Sequence, residues 1–102
     1  MTLSGTRRVA ITGIGLETPV GETMADVSSA LQNDRHGIVH MDEWAEVGEM
    51  ITRLGAPARE LKRKRWPRKK IRSMGRVALL ATAATESAIE DSGLSEPVVQ
   101  HA

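Results

Sequence analysis

The run Val9, Ala10, Ile11, Thr12, Gly13, Ile14 constrains this chain more than any other segment. Its apolar, β-branched residues predict a short strand covered on both faces, as in a parallel sheet, with Gly13 and Gly15 closing it. A buried strand needs neighbours, because each N–H and C=O along it must find a partner. The rest of the 102 residues offers few. Residues 50–54 are a candidate second strand, broken by Gly55 and Pro57, within a stretch from 38 to 60 that shows little regular pattern.

Two helices are predicted. Thr18, Pro19, Val20 and Gly21 make a turn, after which Thr23 is placed to cap a helix over residues 24–32, with Asp26 three positions on in a box-like arrangement. Met24, Val27, Ala30 and Leu31 recur at helical spacing, and Asn33, Asp34 and Gly37 end the element. The stronger helix covers residues 73–92, with Val77, Leu80, Ala81, Ala84, Ala88 and Ile89 on one stripe and Gly93 as its stop. Its small residues, including Gly75, Ala78, Ala81, Ala84 and Ala88, allow a neighbouring backbone to come close.

Two helices lying on one strand bury too little aliphatic surface to offset an ordering cost of about 1–2 kcal/mol per residue. With no Phe, no Tyr and two Trp, any core is aliphatic and thin. The expectation is therefore the opening of a larger α/β domain whose sheet is incomplete in this chain, with a loose terminus at 1–6 and a loose tail at 95–102.

Zero cysteines exclude a disulfide, a thiolate metal site and a cysteine nucleophile within these residues and favour a reducing, cytoplasmic setting. Arg7 and Arg8 before an apolar run imitate an export leader, but Gly13, Gly15, Glu17 and Pro19 interrupt it. No stretch approaches the ~20 apolar residues that span a bilayer.

The formal net charge of +1 hides an asymmetry. Residues 59–72 hold nine Lys/Arg and one Glu, a formal +8, while the other 88 residues hold five Lys/Arg and twelve Asp/Glu, a formal −7. A basic stripe on an acidic body points to an anionic partner: nucleic acid, a membrane surface or an acidic protein. Trp66 within the stripe suits base stacking, yet one Trp is a poor platform, and an acidic protein is the preferred partner.

Other sites read weakly. Gly13-Ile14-Gly15 after a strand suggests dinucleotide binding, but the third glycine of that fingerprint falls on Thr18 and no acidic residue follows at the required distance. A structural role for these glycines is preferred. His36 and His40, four apart, would face a metal only on a helix, which Gly37, Ile38 and Val39 disfavour. His101 carries no signal.

The series R-R-V-A-I-T-G-I-G-x-x-T-P-x-G, then R-H-G-I, then R-K-K-I-R-S-M-G-R, then A-I-E-D-S-G-L, over residues 7–94, resembles the amino-terminal segment of β-ketoacyl-acyl carrier protein synthases. The resemblance implies an α/β chain forming the amino-terminal part of a thiolase-like αβαβα fold. It further implies decarboxylative Claisen condensation in fatty-acid or polyketide-type biosynthesis, no cofactor, and a homodimer or a heterodimer with a chain-length factor. The family's nucleophilic cysteine and two catalytic histidines lie beyond these residues and do not map onto His36, His40 or His101, so this chain alone is expected to be inactive.

By the same resemblance Gly13, Gly15, Pro19 and Gly21 form a structural turn after the first strand. Lys69 and Arg72, with Arg68 and Arg65 beside them, correspond to the basic residues that contact the acidic helix of the acyl carrier protein. Ser73 stands where a further basic residue is common, and Lys70 where an acidic one occurs. The wording of residues 69–81 is closer to synthases of specialised lipid or polyene pathways. The alternative is a small non-enzymatic adaptor that folds alone and binds an anionic partner through residues 59–72.

Overall fold

The computed structural model describes residues 5–95 and Val98. The expected loose terminus and tail, and His101, fall mostly outside these residues. In chain order the elements are helix α1 (Met24–Gln32), strand β1 (Val39–His40), a 3-10 turn (Asp42–Glu46), strand β2 (Leu54–Gly55), a second 3-10 turn (Arg63–Arg65), helix α2 (Arg68–Ile71) and helix α3 (Arg76–Ser92).

Local chemistry accounts for α1. Thr23 is extended, and its hydroxyl oxygen accepts the Asp26 N–H at 3.1 Å, satisfying one of the free donors of the first turn. At the other end the Asn33 side chain donates to the Ser29 carbonyl at 2.7 Å, and Asp34 turns the chain with φ 54. Ala30, fully buried, faces the turn at Pro19 and Val20.

Helix α3 starts at Arg76, three residues later than expected, because Gly75 is extended and acts as its cap. Gly93 closes it with φ 66, donating its N–H to the Glu90 carbonyl at 3.2 Å. The buried face also differs from the expected stripe: Leu79 and Ala83 are buried, whereas Val77 is 81% exposed. The second strand is shorter than residues 50–54 and displaced. Only Leu54 and Gly55 pair, antiparallel, with His40 and Val39. Gly55 sits under Trp44 and Met41, where a Cβ would come within 2.8 Å of the indole and 3.0 Å of the methionine Cγ.

Residues 9–14 leave the sheet incomplete, as expected, and correct only the expectation that both faces of this segment are covered. They form no ladder with any described residue, and Val9 and Ile11 are 87% and 85% exposed. The described contacts of this segment are with α3, where the Ile14 N–H donates to Asp91 Oδ2 at 3.0 Å. The β-branched residues that predicted a covered strand thus lie bare on the other side.

Two magnitudes describe the result. The Cα radius of gyration is 18.5 Å, against about 13 Å for a compact domain of this length. The accessible surface is 8794 Å², against roughly 5,700 Å² for a folded 11.1 kDa monomer. Among the described residues only Ala30, Ile71, Leu79 and Ala83 form a buried apolar core.

Candidate functional site

The glycines of the amino-terminal motif serve two different geometries. Gly13 and Gly15 lie flat on α3: a Cβ on Gly15 would strike the Ala84 carbonyl oxygen and come within 2.7 Å of the Ala88 nitrogen. A Cβ on Gly13 would strike the Ala88 carbonyl oxygen and come within 2.7 Å of the Ser92 nitrogen. Neither has positive φ, so the requirement is close backbone approach. Gly21 is the conformational case, with φ 146. It closes the turn through Pro19 by donating to the Thr18 carbonyl at 3.3 Å and accepting the Thr18 hydroxyl at 2.8 Å.

His36 and His40 do not converge. His36 Nδ1 accepts the Ile38 N–H at 3.1 Å, and His40 Nδ1 lies 2.8 Å from Asp42 Oδ1.

The basic stretch is organised into a surface. Pro67 follows Trp66, the cap of the 3-10 turn, and is itself the cap at the start of α2, where its missing N–H costs nothing. Ile71, 5% exposed, pins the four-residue helix to the body. Arg72 continues as its cap, and Gly75 begins α3. Arg63, Lys64, Trp66, Arg68, Ile71 and Arg72 line an open groove of about 460 Å³, cationic at the rim and apolar at Trp66 and Ile71.

The cations divide into two groups. Arg59, Arg65 and Arg76 are held by acids of this chain. Arg59 forks onto Glu17, at 3.1 and 3.0 Å, and lies 2.9 Å from Glu22. The Glu17 hydrogen bond, opposed by desolvation and reinforced by the charges of Glu17 and Glu22, holds the Arg59 guanidinium above its ordinary pKa. Arg76 pairs with Glu60 and donates to the Ala58 carbonyl at 2.8 Å. Arg65 pairs with Glu86 at 2.9 Å. By contrast Lys62, Arg63, Lys64, Arg68, Lys69, Lys70 and Arg72 are all exposed and make no salt bridge within the described residues.

Of the four cations singled out from the sequence, Arg68, Lys69 and Arg72 therefore stand unopposed around α2. Arg65 does not. Sequence reading missed the acids that consume cations, Glu17, Glu22, Glu60 and Glu86, since all four pairings span more than fifteen residues and no local pattern announces them.

Comparison with known proteins agrees with this architecture. The family model described as "Beta-ketoacyl synthase, N-terminal domain" matches residues 6–102. The 3-oxoacyl-[acyl-carrier-protein] synthase 2 of Synechocystis sp. is 29% identical over 89 residues, 86% of this chain and 21% of that protein. The 3-oxoacyl-[acyl-carrier-protein] synthase 1 of Haemophilus influenzae is 30% identical over 95 residues, 93% of this chain and 23% of that protein. A crystal structure of a β-ketoacyl synthase from Burkholderia phymatum superposes with a TM-score of 0.80 at 38% identity, covering 89% of this chain and 22% of the other. The chain spans about a fifth of the length of the curated relatives it matches.

Proposed function

The chain belongs to the family of the β-ketoacyl synthase N-terminal domain, and from that membership we propose that it works as the amino-terminal segment of a 3-oxoacyl-acyl carrier protein synthase. In this reading it supplies the docking surface for an acyl carrier protein and none of the bond-making groups. The reaction is decarboxylative condensation of an acyl-enzyme with a malonyl thioester. The nucleophile for it is supplied from outside these residues, which contain no cysteine. The setting is the reducing cytoplasm, and no described helix is long and apolar enough to cross a membrane.

One observation carries the proposal: seven exposed cations with no salt-bridge partner among the described residues are gathered within residues 62–72, in a chain otherwise rich in acids. Clustered charge of this kind raises encounter rates with an acidic partner by roughly ten- to a thousandfold at low salt. Each exposed contact contributes only about 0.2–1 kcal/mol. The surface therefore selects and steers its partner more than it retains it. The adaptor reading requires a self-standing core, and the described residues bury only four apolar side chains.

The test uses a graft in which this chain replaces the matched segment of the Burkholderia phymatum synthase. Lys69→Glu together with Arg72→Glu should weaken binding of a bacterial holo-acyl carrier protein about tenfold or more at low salt and flatten its salt dependence. Unchanged affinity at low salt removes these two residues from the site. The 102-residue chain alone should show no condensation with acyl- and malonyl-carrier protein, and measurable turnover overturns the division of labour.

A further inference from the structure

Arg65, Trp66 and Glu86 form a closed set of contacts on the flank of the basic groove. Glu86 accepts from both neighbours, taking the Arg65 guanidinium on Oε2 at 2.9 Å and the Trp66 indole N–H on Oε1 at 2.8 Å. Arg65 in turn lies over the Trp66 ring, 4.5 Å from its centroid. Each of the three groups thus meets the other two. Glu86 stands in the middle of α3, while Arg65 and Trp66 end the 3-10 turn that leads into α2. The set therefore joins the long helix to the segment that carries the groove.

We propose that Glu86 and Arg65 are positioning residues: they hold Trp66 as a fixed wall of the groove, and Arg65 itself makes no contact with the partner. The proposal rests on the docking role given above and refines it. Three observations support it. Both oxygens of the Glu86 carboxylate are used, one for each neighbour. The Arg65 guanidinium is engaged by a carboxylate and a ring face together, an arrangement the planar, delocalised cation favours. And Trp66 lines the groove whereas Arg65 does not. A cation occupied in this way is withdrawn from an incoming acidic surface. The indole it covers loses freedom, so less order remains to be imposed when a partner arrives.

A cation that touches the partner and a cation that braces the groove leave different signatures. Removing the first lowers the salt dependence of binding, because a charge pair across the interface is gone. Removing the second lowers affinity by a similar factor at every salt concentration. Glu86 separates the two roles by sign. If Arg65 docks, Glu86→Gln frees it, and affinity and salt dependence rise. If Arg65 braces, Glu86→Gln weakens binding, and Glu86→Leu, which also removes the indole acceptor, weakens it further.

The experiment is a salt titration of holo-acyl carrier protein binding to the graft, with Arg65→Met, Glu86→Gln and Glu86→Leu. It is paired with acrylamide quenching of Trp66 fluorescence in a Trp44→Phe background, with the graft's other tryptophans replaced by phenylalanine. We expect roughly two- to tenfold weaker binding with an unchanged salt slope, and faster quenching of Trp66 in Glu86→Leu. A reduced slope in Arg65→Met, or tighter binding in Glu86→Gln, overturns the proposal. If the unsubstituted graft binds no carrier protein, the docking role fails. The quenching data still decide the brace, and unchanged quenching in Glu86→Leu overturns it independently.

Discussion

At Gly15 the absence of a single carbon decides whether the amino-terminal segment can lie on α3. The nearest obstacle to a Cβ there is backbone, the Ala84 carbonyl, which cannot rotate out of the way as a side-chain tip could. Gly15→Ala in the graft should therefore lower stability by about 1–3 kcal/mol in denaturant melts. Gly48 has open space around it and no positive φ, and Gly48→Ala should be neutral or stabilising by up to about 1 kcal/mol. Equal effects at the two sites would mean that close approach is not the reason for the glycine. Arg59 makes a second residue-scale case. Its side chain is 46% exposed, whereas that of Glu17 is 4% exposed, so losing the arginine leaves a nearly buried carboxylate without its fork. Arg59→Met should cost about 1–3 kcal/mol, between the values for exposed and fully buried pairs. Because the folded-state pKa of Arg59 is raised, its contribution is complete below the unfolded value and is lost only as pH climbs through the folded one. The difference between Arg59→Met and the unsubstituted graft should thus stay flat from about pH 6 to about pH 9. A difference that shrinks across that interval would assign the effect to another group.

Among the elements, α2 depends most on its surroundings. Four residues are too few for a helix to persist on propensity, and three of them are cations that repel one another. Ile71 is its apolar anchor. Ile71→Ala should cost about 2–4 kcal/mol and, by loosening the platform that presents Arg68, Lys69 and Arg72, should also weaken carrier-protein binding without removing a charge. Retained affinity in a destabilised variant would show that the cations act without a defined platform. Helix α1 stands at the opposite extreme: its start, its end and its Thr23 cap all follow from residues within the element or beside it. For α3 the far end follows from Gly93 alone, but the near end lies three residues beyond the expected one, since nothing local in Ser73, Met74 and Gly75 distinguishes a first turn from an extended lead-in.

On the scale of the whole molecule, the radius of gyration and the exposed surface describe a path rather than a closed body. That path superposes on part of a much longer synthase, so a chain can follow the course of its fold while most of the apolar area that stabilises such a fold is absent from its own residues. The isolated 102-residue chain should unfold without a cooperative transition, and the amides of residues 9–13, which pair with no described strand, should exchange at close to unprotected rates. A sharp two-state melt with those amides protected would contradict this account of where the stabilising contacts lie.

Local patterns in the amino-acid order determined α1 with its cap, the glycine stop of α3, the concentration of cations in residues 59–72 and the family motif series, because each is encoded within a few neighbouring positions. Tertiary structure alone decided that Gly13 and Gly15 serve close packing, that Arg65 answers to Glu86 twenty-one residues away, and that residues 9–14 stay bare on one side. The physical reason is the range of the forces involved. Capping and turn chemistry act through covalent neighbours, whereas the pairing of a strand or a charge depends on whichever distant group the folded path brings within about 3–4 Å.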